Sequence, residues 1–228
     1  TLFRSSIGNQ LFNTIYLVFI SLLFSIPLGV TAGIYLAMYA KKGFLTKFLR
    51  ICIETLSSLP SIVVGLFGYL VFLVFFGLGK SLLAGALSVS ILAIPVITTT
   101  TEDAINGLPG HYLQASLGLG ATRWQSIYKV VIPAAGSGIL SGIILGLARA
   151  FGEALAVAMV IGQTTALPKG LFSTTKSLTT EIAAQMGNAT EGGEMKTALW
   201  TMALLLFLLS LLFILLIHYF SRPKKDKE

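Results

Sequence analysis

Long apolar stretches dominate the chain, and the places where they break define its organisation. A helix needs ~20 apolar residues to cross the hydrocarbon core of a bilayer. Five stretches reach that length or come near it. The first runs from about Leu11 to Ala40 with Pro27 inside, the second from about Leu59 to Phe76 beginning at Pro60, and the third from about Leu82 to Thr99 with Pro95 inside. The fourth covers about Gly136 to Ile161 and the fifth about Thr197 to Phe220. Proline is tolerated within such spans because neighbouring helices or water satisfy the carbonyl it frees. The pattern predicts an all-α polytopic bundle, a single transmembrane domain over residues 1–228. Two polar interruptions, at about 100–133 and about 162–196, are too long for simple turns. Within the second, Leu178 to Met186 suits a short re-entrant or surface helix, and Asn188-Ala189-Thr190 matches a glycosylation sequon, a pattern that arises constantly by chance.

Composition agrees with the pattern. The chain is 55% hydrophobic and 11% charged, where a soluble domain carries about 25% charged residues. The expected surroundings are therefore a lipid bilayer. The net charge of +7 is explained by basic loops beside spans, and no stretch interleaves cations with exposed aromatics, so nucleic acid is not an expected partner.

Of the sixteen Lys and Arg residues, ten fall on one set of loops: Lys41, Lys42, Lys47, Arg50, Arg123, Lys129, Arg222, Lys224, Lys225 and Lys227. Five fall on the other, Arg4, Lys80, Lys169, Lys176 and Lys196, and Arg149 lies inside a span. The positive-inside rule places the first set in the cytoplasm, with the amino terminus outside and the carboxyl terminus inside. No signal peptide is read at the start, so an earlier span is expected to precede residue 1.

Little in the sequence suggests catalysis. The single cysteine, Cys52, excludes an intrachain disulfide framework, and His111 and His218 lack ligand-spaced companions, so no metal is expected and no cofactor either. Gly79-Lys80-Ser81 resembles the end of a phosphate-binding loop, but the required earlier glycine is Val74. No Ser/His/Asp constellation is present. The chain is thus not read as an enzyme, and any pumping would need an ATP-hydrolysing partner. Glu54 reads as an i,i+4 surface partner of Arg50, and Glu102-Asp103 as solvated or partner-facing.

Residues 100–133 form the one sizeable handle offered to a soluble partner. Pro109 can start a helix, with Tyr112, Leu113, Ser116 and Leu117 at helical spacing behind it. Gly118 and Gly120 suit a tight break, and Thr122 can cap a second helix bearing Trp124, Ile127, Tyr128 and Val131 on one side. Pro133 marks the turn into the fourth span. The result is a helix–turn–helix elbow, and its pattern fits docking onto a partner and lying on the membrane surface equally well.

In the fourth span, Arg149 and Glu153 are four residues apart near the middle, where a charge costs at least ~2.5–3.5 kcal/mol. Gly138, Gly142 and Gly146 repeat at four-residue spacing in the same span and form a small-residue packing stripe. In one helix both charges would flank that stripe, turned towards a neighbouring helix or a pathway. One reading is a pair that merely neutralises itself. The other is an arginine whose planar donor fork meets an oxyanion, with Glu153 holding the guanidinium and moderating its charge.

The order Gln114-Ala115-Ser116, Gly120, Val130, Ile132-Pro133 resembles the permease signature of bacterial ABC importers, Glu-Ala-Ala, three residues, Gly, nine residues, Ile, one residue, Leu-Pro. Ala115, Gly120 and Pro133 match outright, and Gln114 replaces a charged Glu. Leu59 to Gly68, Thr101 to Ala104, Ala115 to Trp124 and Arg149 to Ala154 resemble phosphate permeases. The first half is more similar to the kind called PstA, and Glu153 to Gln163 with Ser177 to Ala183 to the kind called PstC. The resemblance implies a type I importer fold of the MetI-like kind and transport of inorganic phosphate across a bacterial inner membrane. It also implies Arg149 and Glu153 on the substrate pathway, and Gln114, Ala115, Ser116, Gly120 and Arg123 in coupling to cytoplasmic ATPase subunits. The further partners implied are a second related permease or second copy, and an external phosphate-binding protein. Another oxyanion, such as molybdate or sulfate, and an autonomous channel or secondary transporter are the competing readings.

Overall fold

The computed structural model describes residues 2–41, 43–188 and 193–220. Lys42, Arg222, Lys224, Lys225, Lys227 and the Ala189-Thr190 half of the sequon lie outside the described residues. All regular structure among the described residues is helical. In chain order the helices are α1 (Leu2–Met38), α2 (Phe44–Ser58), α3 (Ser61–Gly68, widening into a π-helix at Tyr69–Phe75), α4 (Leu82–Asn106), α5 (His111–Gly118), α6 (Arg123–Ser126, followed by a π-helix at Ile127–Val131), α7 (Ile132–Ala134), α8 (Gly136–Gly152), α9 (Leu155–Val160), α10 (Leu178–Gln185) and α11 (Glu194–Phe220). Three helices are long and apolar enough to cross a membrane, within α1, α4 and α11, and up to five spans result if two bent pairs each count as one.

Helix α4 is the axis of the bundle, packed against both α1 and α8, and most of its residues are buried. Glycines let the neighbours approach. A Cβ on Gly138, Gly142 or Gly146 of α8 would lie 2.5 Å from Ala104 Cβ, 2.8 Å from Thr100 Cβ and 2.9 Å from Ile97 Cγ1. On the α1 side, a Cβ on Gly29 or Gly33 would lie 2.8 Å from Ile97 Cβ or 2.6 Å from Thr101 Cβ. Close backbone approach of this kind is how helices gain van der Waals contact in lipid, which offers no hydrophobic drive between them. Around Pro95, the hydroxyls of Thr98, Thr99 and Thr100 donate to the carbonyls of Ile94, Pro95 and Val96 at 2.8–3.0 Å.

Two expected spans are not straight. The second, if α2 counts as part of it, turns through 104° between α2 and the helix over Ser61–Phe75. The cause is Pro60, which lacks an N–H and drives Leu59 into extended geometry (ψ 137°). Arg50 of α2 pairs with Glu102 of α4, while Leu59 and Ile91 pack against Val64, Leu92 and Ala156. At 1.5 Å per residue those separations amount to ~14 Å along α2 and ~16 Å along α4, so α2 runs antiparallel beside α4. It has no buried residue of its own. The fourth span also breaks: α8 ends at Gly152, Glu153 is extended (ψ 118°), and α9 starts anew at Leu155.

Residues 162–188 are pinned rather than loose. Asn13 Nδ2 of α1 donates to the carbonyls of Ala166 and Lys176 at 3.4 and 3.3 Å. The Leu178 N–H donates to Thr14 Oγ1 at 2.9 Å, and Ser177 and Thr180 form a capping box at the start of α10. The helix expected at Leu178 to Met186 is present as α10, and its first residues are buried in the bundle rather than laid on a surface.

Candidate functional site

The elbow follows from local chemistry. Helix α5 starts at His111, two residues after Pro109, whose carbonyl accepts from the Tyr112 N–H at 3.1 Å. The turn is made by Gly120 at φ +84°, a left-handed conformation that side chains disfavour. Thr122 then caps α6: its Oγ1 accepts from the Gln125 N–H at 3.3 Å, and Gln125 Oε1 accepts from the Thr122 N–H at 2.9 Å. Ser116 and Ser126 hydroxyls meet at 2.9 Å and join the two arms.

The apolar face expected over Trp124, Ile127, Tyr128 and Val131 is split. Ile127 and Val131 are buried in a cluster with Met38, Ile105, Ala135 and Ile139, whereas Trp124 and Tyr128 are exposed. Leu119, at the tip, is 90% exposed. Gln114, Ala115 and Gly120 are exposed and Ser116 is half-buried, so the signature residues present themselves outward on a rigid turn. Arg123 is exposed yet reaches α1: it donates to the Met38 carbonyl at the end of that helix, and its guanidinium lies 5.3 Å from the centre of the Tyr39 ring. That contact ties the elbow to α1, a connection the sequence alone did not reveal.

Arg149 is half-buried one turn before the end of α8. The sequence suggested that Glu153 shares its helix face and holds it. The structure corrects that geometry, because the helix ends between them. Glu153 Oε1 instead accepts from the Ala156 N–H at 3.2 Å in the first turn of α9, where N–H groups lack helical acceptors. The Glu153 carbonyl accepts from Thr179 Oγ1 at 2.9 Å. Glu153 therefore joins the α8–α9 break to α10. Among the described residues, Arg149 has no carboxylate within ion-pairing distance; Arg50 pairs with Glu102, and Lys176 with Glu181.

Both of those pairs differ from the sequence reading. Arg50 takes Glu102 rather than Glu54, and Glu102 is 5% exposed rather than solvated. Lys176, counted among loop cations, is 8% exposed. The five-residue spacing of Lys176 and Glu181, and Gln10, Asn13 and Thr14 recurring at helical spacing in an apolar stretch, were the available hints. Arg50 and Glu102 lie far apart in sequence and carried no local signal.

Comparison with known proteins supplies the family. Over 221 residues the chain is 42% identical to the probable ABC transporter permease protein YqgH of Bacillus subtilis (strain 168), covering 94% of this chain and 71% of that one. With YqgI of the same organism it shares 46% over 159 residues, covering 70% and 54%. With the phosphate transport system permease protein PstC of Pasteurella multocida (strain Pm70) it shares 31% over 217 residues, covering 84% and 67%. In fold it is similar to a chain of the inward-facing MetNI methionine ABC transporter (TM-score 0.69, 21% identity, covering 92% of this chain and 94% of that one). It is also similar to a chain of a bacterial ABC transporter that imports the acidic polysaccharide alginate (TM-score 0.62, 17% identity, covering 96% and 79%). These two likenesses show the fold alone. The model of one family matches residues 29–225, and the chain accordingly belongs to the binding-protein-dependent transport system inner membrane components, the permease subunits of ABC importers.

Proposed function

We propose that this permease carries inorganic phosphate, with Arg149 as the cation that meets it on the pathway. The observation that carries the reading is an arginine in an apolar helix with no carboxylate within ion-pairing distance among the described residues. A guanidinium in that setting has five N–H donors in a fixed fork and an uncompensated charge, the chemistry that suits a tetrahedral oxyanion. The phosphate permeases among the relatives support the same substrate class. Glu153 anchors the break at which the Arg149 helix ends and adds a negative charge nearby in sequence, which favours release over tight capture.

Transport then requires partners: cytoplasmic ATPase subunits seated on the elbow, a second permease completing the pathway, and an external binding protein delivering phosphate. The carboxyl terminus lies in the cytoplasm. ATP-driven closure displaces the elbow, and the displacement reaches the core along two routes. One is Arg123 to the end of α1; the other is the buried Ile127–Val131 segment leading into α8. Rocking of the glycine-packed α1–α4–α8 unit exposes Arg149 to one side and then the other, the general logic of alternating access.

The test is reconstitution with the cognate ATPase and binding protein, following phosphate uptake in competition with sulfate and molybdate. Arg149→Gln should lower phosphate uptake at least tenfold with an unchanged melting temperature. Wild-type uptake by that variant would remove Arg149 from the pathway. Stronger competition by molybdate or sulfate would reassign the substrate, and conduction without partners would make the protein a channel.

A further inference from the structure

Beside the elbow, the ends of α1 and α4 and the first half of α2 enclose an open cavity of about 510 Å³. Among the described residues its wall carries two cations, Lys47 and Arg50, one turn apart on α2, and Asn106 at the end of α4. Among the described residues no carboxylate lines it: Glu54 and Asp103 lie outside the lining, and Glu102, also outside it, pairs with Arg50. The Thr46 hydroxyl donates to the Lys41 carbonyl at 2.7 Å, which commits its proton there.

We infer that this cavity is a second oxyanion site, separate from Arg149, with Arg50 and Lys47 as its cationic ligands and Asn106 as a neutral donor. The two members of the Arg50–Glu102 pair have different surroundings. The Glu102 side chain is 6% exposed and fixed in the α4 core, whereas the Arg50 side chain is 47% exposed. Glu102 therefore fixes the orientation of a guanidinium whose remaining N–H groups are open to solvent. A planar fork held by one carboxylate and presenting its other edge outward is preorganised for the oxygens of a phosphate group. Lys47 adds a point charge on the same wall, and the Asn106 amide can donate without adding charge. Counted over the described residues, Lys47 and Arg50 against Glu102 leave one net positive charge, which a singly charged phosphate neutralises. The volume leaves room for the anion with several waters, each of which occupies ≈ 30 Å³ in the liquid.

The ligand class is a phosphate oxyanion, reached from either of two sources: free inorganic phosphate in transit, or the headgroup of an anionic lipid at the bilayer edge. The cavity's chemistry does not depend on Arg149 carrying substrate, and the experiment keeps the two apart. The purified full chain is placed in phosphatidylcholine nanodiscs and titrated with radiolabelled inorganic phosphate. A parallel set contains phosphatidylglycerol, and retained lipid is counted by native mass spectrometry. The variants are Lys47→Gln/Asn106→Ala, which leaves the Arg50–Glu102 pair in place, and Arg50→Lys, each also made on an Arg149→Gln background. Folding is checked by thermal unfolding.

The expected result is phosphate binding that survives Arg149→Gln and weakens at least tenfold when Lys47→Gln/Asn106→Ala is added. If the source is lipid, free phosphate binding is unaffected and the same variants lose retained phosphatidylglycerol. Unchanged phosphate binding and unchanged lipid retention in both Lys47→Gln/Asn106→Ala and Arg50→Lys would overturn the site. That outcome leaves the Arg149 reading standing if Arg149→Gln still abolishes uptake. Normal uptake by Arg149→Gln with loss of cavity binding would do the reverse.

Discussion

At the α10 end of the bundle, Lys176 and Glu181 pair with side chains 10% and 13% exposed. At the elbow end, the Arg50 side chain is 47% exposed and only its partner Glu102 is buried. The contrast extends to what surrounds each pair. The segment leading into α10 is bound by Asn13, Thr14, Ser177 and Thr179, and hydrogen bonds from Ser81, Leu82 and Leu83 backbone N–H groups reach Val160, Ser173 and Leu171 carbonyls at 2.9–3.1 Å. The elbow is held to α1 by Arg123 and to the core by Ile127 and Val131, while Leu119, Trp124 and Tyr128 stand out into the surroundings. One end is tied together by polar contacts made within the chain. The other leaves apolar and cationic groups open to other molecules. The proposed function makes use of this asymmetry, because an elbow that received force from a partner would have to be anchored on its inner face and open on its outer one.

The largest expected effect lies at the α10 end. Lys176→Met strands a buried carboxylate and should cost ~3–5 kcal/mol, read as a lowered melting temperature in detergent. Glu181→Leu added to it should restore most of the loss, and failure to do so would show that the pair is not the element holding that end. Next comes the core the two ends share. Gly142→Leu must displace Thr100 and should cost ~1–3 kcal/mol, whereas Gly152→Leu, with open space around its position, should leave the melting temperature unchanged. At the elbow, Gly120→Val forces a branched residue into φ +84° at ~1–2 kcal/mol. Its main consequence should be functional: substrate-stimulated ATP hydrolysis by the assembled transporter falls while phosphate binding by the purified chain persists. Smallest in stability is Leu119→Ser, within ±0.5 kcal/mol, which should nonetheless weaken ATPase association in a pull-down. If Leu119→Ser left association intact, the exposed tip would not be part of the contact.

The spans, the elbow and the glycine stripe were legible because each depends on neighbours close in sequence. Hydrophobic runs report burial in lipid, Thr122 and Gln125 carry their capping pattern within four residues, and Gly138, Gly142 and Gly146 lie on one helical face whatever they meet. The breaks were half legible. Pro60 marked where the second span begins, but that α2 precedes it as a helix with no buried residue requires α4 beside it. Nothing near Glu153 marked the end of α8, since Gly152 and Glu153 are compatible with a continuing helix. The Thr179 hydroxyl and the Ala156 N–H, brought in from α10 and α9, take up its carbonyl and its carboxylate.

By itself, then, the sequence determined a helical membrane subunit with an elbow spaced like an importer's coupling loop and charges placed inside an apolar span. Only the tertiary structure decided which groups neutralise one another. It separated Arg149 from Glu153, gave Glu102 to Arg50 and Glu181 to Lys176, and set α4 between the glycines of α1 and α8. The physical reason is range. Helical periodicity is fixed by contacts three and four residues away, whereas the partner of a charge is whichever opposite group packing brings within a few ångströms, from any point in the chain.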